Sequence, residues 1–207
     1  MIGDIMTISR LRMGTDGDGV TTLVTLFGCP LMCRYCINDY CHDNKGMLDA
    51  TARGAYQPKE LVDKLSKDDI YYLMTNGGVT FGGGEPLLQA DFIKDVCIIS
   101  NPKWNIRIET SLYAEWQNIE KLIEYVDEWI IDIKDINTEI YKKYTGKSNA
   151  KVLKNLEKLL KCVSPDKIRV RVPYIYRYND NQDINHTVDY LKKMGITRIE
   201  RFEYIVT

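Results

Sequence analysis

"VTTLVTLFGCPLMCRYC", residues 20–36, runs a β-branched stretch straight into three closely spaced cysteines, Cys29, Cys33 and Cys36. Val, Thr and Leu in near-unbroken succession suit a strand buried on both faces, as in a parallel sheet. Five further strand patterns follow: "GVTFGG" (78–83), "NIRIET" (105–110), "EWIIDIKD" (128–135), "KIRVRVPYI" (167–175) and "TRIERFEYIV" (197–206). Helical patterns separate them. "PKELVDKLSKDDIYYLM" (58–74) opens on Pro58, well placed at a helix start, and "LLQADFIKDVCIIS" (87–100) is helical. Residues 113–126 put Ile119, Leu122, Ile123 and Val126 on one stripe, and "AKVLKNLEKLLKC" (150–162) has the clearest helical period. A helix after Asp183 ends at Gly195, a C′ glycine. Strands alternating with helices predict βαβ units with right-handed crossovers. The expected fold class is α/β, a partial (β/α)6 barrel of six mainly parallel strands, open on one side, as one domain over residues 1–207. An open doubly wound sheet is the alternative, and in either the active site lies at the carboxyl ends of the strands. The cysteines, "GGGEP", Glu109-Thr110, Asp132 with Lys134, and Arg171 all fall at those ends.

The 207 residues suffice for one good core, and 28 basic against 29 acidic residues leave a net charge of −1. No global field argues for nucleic acid or an anionic membrane, so neither is expected as a partner. "MIGDIMTISRLRMG" (1–14) is not a signal peptide, and no apolar run is long enough to span a bilayer. A cytoplasmic location follows as the expectation. Thiols stay reduced there, so clustered cysteines are metal ligands or catalysts more often than disulfides. Cys97 and Cys162 stand alone among apolar residues and read as buried small hydrophobes.

The cysteine spacing is C-x3-C-x2-C. Three thiolates can bind three irons of a cubane cluster and leave one iron open. Cys41 or His42 could instead complete a closed tetrahedral zinc site. The cysteines alone leave cluster and zinc evenly balanced. "TFGGGEPLLQ" (80–89) breaks the tie, because a closed zinc site gives no reason for a glycine run ending in Glu85-Pro86 at the next strand's end. Glycines let the backbone approach a ligand, and Glu85 offers a fixed acceptor for a cation such as an ammonium. A phosphate cradle lacks its Gly-Lys-Ser/Thr ending.

"CPLMCRYC" followed by "GGGEP" on successive strands resembles the radical S-adenosylmethionine (SAM) superfamily. "DGDGVTTLVTLFGCPLMCRYCIND", "VTFGGGEPLLQ", "IETS" and "WIIDIKDINTEIYKKYTGKSN" are similar to the glycyl-radical-enzyme activating enzymes, so the resemblance runs from about Asp16 onward. It implies that Cys29, Cys33 and Cys36 hold a [4Fe–4S] cluster whose open iron chelates the methionine moiety of SAM. It places Tyr35 beside the adenine, the run Gly82, Gly83, Gly84 and Glu85 at the SAM amino group, and Glu109 and Thr110 beneath SAM. Asp132 and Lys134, two apart on a strand and so on one side of it, would meet the ribose and the carboxylate. A monovalent cation between Glu109, Asp132 and SAM is a further candidate. The implied chemistry is one-electron cleavage of SAM to methionine and a 5′-deoxyadenosyl radical, which abstracts hydrogen from a glycine in a partner glycyl-radical enzyme. A flavodoxin- or ferredoxin-type protein would donate the electron. A peptide or small metabolite is the alternative substrate, and a structural zinc protein the remote alternative.

The chain departs from the family pattern at several points. Leu112 stands where the family carries glycine, and no second ferredoxin-like cysteine cluster precedes the second strand, as in single-cluster members. "IERFEYIVT" (199–207) lacks the family's strand-six histidine, and His186 reads as a surface residue. Cys41 and His42 read as loop residues near the active-site rim. "YIYRYNDNQ" (174–182) is a tyrosine-rich loop that could meet a peptide or pack on the barrel end.

Overall fold

The computed structural model describes residues 1–42 and 54–204. Their strands form one eight-stranded sheet, in the spatial order 54–56, 3–13, 20–26, 78–83, 105–110, 128–132, 168–174 and 198–203. Six strands run parallel: β2 (Val20–Leu26), β4 (Gly78–Gly83), β5 (Asn105–Thr110), β6 (Glu128–Asp132), β7 (Ile168–Tyr174) and β8 (Arg198–Glu203). They are the six expected from the sequence, in the expected order, although residues 205–206 of the last pattern lie outside the described residues. Two strands were not expected. β1 (Gly3–Met13) pairs antiparallel with β2, and the three-residue β3 (Gly54–Tyr56) pairs antiparallel with β1.

The crossovers are helical, as parallel pairing requires. The pattern over 58–74 divides into α1 (Pro58–Leu65) and α2 (Asp69–Thr75), joined by a 3-10 turn at Ser66–Asp68. Arg10 on β1 reaches both carboxylate oxygens of the buried Asp68 in that turn, at 2.7 and 2.5 Å. After β4 come a 3-10 turn at Pro86–Gln89 and α3 (Ala90–Ile99). The expected helix over 113–126 is α-helical only in α4 (Trp116–Glu120). Beyond it the chain tightens into bonds such as Leu122 N to Ile119 O and Ile123 N to Glu120 O, three residues back. That tightening still buries Ile119, Leu122 and Val126. α5 (Thr138–Thr145) is capped by the Asn137 side chain, and α6 (Ala150–Cys162) follows it. α7 (Asn181–Lys193) begins earlier than expected because Asp180 caps it by accepting from Gln182 N and Asp183 N. Its end matches the expectation: Gly195 has φ +90°, and Ile196 N reaches back to Leu191 O.

The alternation of the central strands separates two environments. Val24, Phe81, Ile108, Ile131 and Val170 bury themselves in the hydrophobic core shared with the helices. The opposite sheet face is polar and paired. Near the strands' amino ends Glu128 accepts from Arg107 at 3.1 Å, Arg169 at 2.9 Å and Arg198 at 2.6 Å. This charged layer closes one end, and the carboxyl ends of the same strands are left to the site.

Candidate active site

Residues Gly28 to Cys36 leave β2 as a loop fixed at several points. Gly28 N donates to Cys41 O at 3.0 Å, closing the loop base. Met32 N donates to Thr145 O at 2.9 Å and Arg34 N to Tyr144 O at 3.2 Å, pinning the far side to the end of α5. The glycine run after β4 locks against the same loop: Gly84 N donates to Leu26 O at 3.0 Å and Glu85 N to Gly28 O at 2.7 Å. A Cβ on Gly84 would stand 2.3 Å from Gly28 O, and one on Gly83, at φ +92°, 2.5 Å from the Thr25 side chain. Glycine is therefore required where the chain approaches itself, rather than only where it approaches a ligand.

A cavity of about 540 Å³ opens at the strand ends, and it gathers Cys29, Cys33, Cys36, Tyr35, Gly83, Gly84, Glu85, Glu109, Thr110, Asp132 and Lys134. Of the residues expected at the site only Gly82 is not on its wall; it backs Glu109, whose carboxylate lies 3.1 Å from where a Gly82 Cβ would be. All three cysteines are free thiols of intermediate burial. Burial pushes the Cys33 thiol up to about 11, against the pull of Lys134, and burial also raises Cys36. A hydrogen bond from Cys29 to Cys41, joined by burial, raises the Cys29 thiol, and the same bond lowers Cys41.

Glu85, expected as a fixed acceptor for a cation, is held in place by its own donors. It is 1% exposed, and its carboxylate accepts from Thr110 Oγ1 (2.6 Å), Ser111 Oγ (2.6 Å), Ser111 N (3.0 Å) and Leu87 N (3.3 Å). Four donors fill both oxygens, so Glu85 ties the second strand's end to the third's. Thr110 is likewise spent on Glu85 and on Leu112 N at 2.8 Å.

The charged wall opposite is a chain of alternating partners. Arg171 on β7 donates to Glu109 at 2.9 Å and to Asp132 at 2.7 Å. Lys134 donates to Asp132 at 2.9 Å and to the Tyr204 hydroxyl at 2.5 Å. The Arg171 guanidinium bridges Glu109 and Asp132, the two acids beside which a monovalent cation is a candidate. Burial would raise Asp132, but Lys134 and Arg171 outweigh it and hold the carboxyl below its ordinary range. Burial lifts Glu109 to about 7, opposed by Arg171 and reinforced by Asp132. Lys134 is depressed by burial yet raised well above its ordinary value by Asp132, Tyr204 and Cys33. Its pairing with Asp132 is built into the cavity wall and is no surface ion pair.

Tyr35 sits on the cavity wall with its ring 5.8 Å from Tyr178 and 6.2 Å from Tyr144. Tyr204 stacks on Tyr144 at 6.2 Å and 26°, at the end of β8 where no histidine stands. Arg171, Tyr204 and Ser111 are the site residues the sequence did not assign. Arg171 stands at a strand end, whereas Ser111 and Tyr204 are marked only by their bonds to Glu85 and Lys134. The lone cysteines diverge: Cys97 is partly buried, with its thiol pushed up to about 12 by burial, whereas Cys162 is exposed, contrary to expectation. His186 is exposed on α7, as expected.

Three thiols face one cavity, and Cys41 is not on its wall. That donor set fits a cubane cluster with one open iron better than a closed four-ligand ion. Tyr144, on the same wall, has a buried Oη with no hydrogen-bond partner among the described residues. A cavity of this size matches a cofactor-sized ligand.

Fold and site together define an open α/β barrel with a three-thiol centre at its strand ends. The chain belongs to the radical SAM superfamily, whose model matches residues 23–199. It also resembles the glycyl-radical-enzyme activating enzymes. It is 38% identical over 135 residues to the (2S)-3-sulfopropanediol dehydratase activating enzyme of Klebsiella oxytoca, covering 64% of this chain and 42% of that one. It is 31% identical to the pyruvate formate-lyase-activating enzyme of Clostridium pasteurianum, covering 84% of this chain and 69% of that one. The chain thus spans less than half the length of the first relative. In fold it is similar to Streptococcus suis SuiB bound to S-adenosylmethionine, with a TM-score of 0.67, 17% identity, and coverage of 89% of this chain and 41% of that one.

Proposed function

We propose that residues 1–207 work as one radical SAM domain that generates a radical on a partner protein, a glycine of a glycyl-radical enzyme. The carrying observation is the set of three thiols, without a fourth, on the wall of a cavity whose other side is the Glu109–Arg171–Asp132–Lys134 chain. Cys29, Cys33 and Cys36 would hold the [4Fe–4S] cluster, and Gly83 and Gly84 would present backbone to the SAM methionine moiety. Held by these residues, the cluster and SAM would supply one-electron reduction and radical chemistry.

The protein's own groups orient and shield. Lys134 stays protonated and offers its ammonium to a carboxylate or ribose oxygen. Asp132 stays ionised beside it. Glu109 holds or releases a proton near neutrality and answers the sulfonium's charge. Tyr35 and Tyr144 give an aromatic wall for the adenine. Arg171 already brings positive charge between the two acids, so SAM affinity is expected to be indifferent to sodium or potassium.

A wider groove of about 1030 Å³ runs past Cys33 and Cys36 and carries Arg34, Lys142 and Lys143. Its cations suit an acidic flavodoxin- or ferredoxin-type donor close to the cluster. No helix among the described residues is long and apolar enough to cross a membrane. We place the reaction in the cytoplasm under anaerobic conditions, where a reduced cluster and a carbon radical persist.

The test is electron paramagnetic resonance on a copurifying or neighbouring-encoded glycyl-radical enzyme after incubation with the reduced, reconstituted protein and SAM. A glycyl-radical doublet that needs all components is expected. Its absence, together with turnover of a free peptide or metabolite, would move the substrate to that alternative.

A further inference from the structure

At the edge of the cavity a second donor set shares Cys29 with the three-thiol set. The Sγ atoms of Cys29 and Cys41 and a ring nitrogen of His42 all lie within 4.8 Å of one another. Cys41 is 4% exposed and is not among the residues lining the cavity, and His42 is exposed on the wider groove beside Cys33 and Cys36, so the set is open to solvent through His42. Thiolates on one zinc at about 2.3 Å stand roughly 3.8 Å apart in a tetrahedron. Ligands to a single ion must converge in this way, whereas ligands to separate irons must not. The loop geometry supports the convergence independently, because the Cys41 carbonyl accepts from Gly28 N at 3.0 Å and fixes Cys41 against the residue preceding Cys29.

We propose that Cys29, Cys41 and His42 form a mononuclear site for a thiophilic divalent ion, with Zn²⁺ the natural occupant and water completing the tetrahedron. Two thiolates and an imidazole select zinc or cobalt over magnesium or calcium. Binding replaces the two S–H bonds by metal–sulfur bonds and releases two protons to solvent, without any redox change. The site shares Cys29 with the three-thiol set, so the two are mutually exclusive. Zinc held here would keep Cys29 from cluster assembly. That consequence rests on the cluster reading above, while the ion site itself does not.

The test uses the full-length chain purified without iron and titrated anaerobically with Co²⁺, whose tetrahedral thiolate complexes absorb in the visible. Expected are thiolate charge-transfer and tetrahedral d–d bands in the wild type and in Cys33→Ala. Affinity should fall by roughly tenfold to a hundredfold or more in Cys41→Ser and His42→Ala. His42 is exposed, so its variant reports even if Cys41→Ser folds poorly. Absence of the bands in the wild type overturns the proposal, as does their loss in Cys33→Ala with survival in His42→Ala. In a second arm Zn²⁺ is added before iron and sulfide. Slower cluster uptake in the wild type than in His42→Ala is expected, and equal slowing in both overturns the exclusivity. A chain that takes up no cluster even without zinc would count against the cluster reading, and the cobalt bands would still decide this one.

Discussion

At Glu109 burial sets the carboxyl near pH 7, well above its ordinary range. A folded-state pKa above the unfolded one means that ionisation is penalised in the fold. Stability from this group is therefore full in acid and declines as pH rises toward about 7. A sulfonium bound nearby would favour the ionised form, so SAM binding should release a proton in mildly acidic buffer. SAM affinity measured by calorimetry is expected to rise with pH up to about 7 and then level. Glu109→Gln should flatten that profile; a wild-type affinity that does not change across neutrality would contradict the placement of Glu109 beside SAM.

Leu112 gives a second case at this scale. It has φ +58° and is fully buried. The left-handed backbone costs a leucine about 1–2 kcal/mol, and its buried side chain recovers more. Leu112→Gly is expected to lose about 1–4 kcal/mol net, read as a lower urea midpoint at unchanged m-value. A gain in stability would show that strain, not packing, dominates there. The sequence revealed the substitution but not the dihedral, because φ at one residue leaves no trace in composition.

Elements differ in how plainly they are written. The six parallel strands were legible because each is a short apolar run bounded by turn residues and separated from the next by a helical period. β1 was not, because register shifts at Ile5/Thr7 and Ser9/Arg12 break the two-residue alternation that marks a strand. β3 has three residues, too few for any period. The cysteines and glycines were legible as site residues because their types and spacing are unusual. Tyr204 and Ser111 were not, since tyrosine and serine are common and their roles depend on partners distant in sequence. Asn155 on α6 is of the same kind. Its side chain donates to Leu112 O and Ala114 O, both at 2.9 Å, and so holds the turn that carries Ser111 to Glu85. Asn155→Ala should cost about 1–3 kcal/mol for each buried carbonyl left without a donor. It should also weaken SAM binding, and normal unfolding with normal affinity would show that the turn holds itself.

Across the whole molecule the polar sheet face carries two charged layers with different duties. The Glu128 layer is buried at its centre, with Arg107 at 4% and Glu128 at 9% side-chain exposure, opens to solvent at Arg198, and none of its members lines the cavity. Removing Glu128 leaves the buried Arg107 guanidinium without its carboxylate, while Arg169 keeps Glu200 and Asp18, so Glu128→Ala is expected to destabilise by about 3–5 kcal/mol in denaturant unfolding. A neutral result would mean that the arginines find solvent. The Glu109–Arg171–Asp132–Lys134 layer stands at the opposite end, beneath the thiols, where its charges are available to a ligand.

The most direct measurement is 5′-deoxyadenosine. The protein is purified without oxygen, reconstituted with iron and sulfide, reduced with dithionite and given SAM. Formation of 5′-deoxyadenosine by the wild type is expected, with loss of cluster and product in each of Cys29→Ala, Cys33→Ala and Cys36→Ala. No product from a wild-type protein holding an intact cluster and bound SAM, or cluster assembly that survives Cys33→Ala, would contradict the assignment of this site.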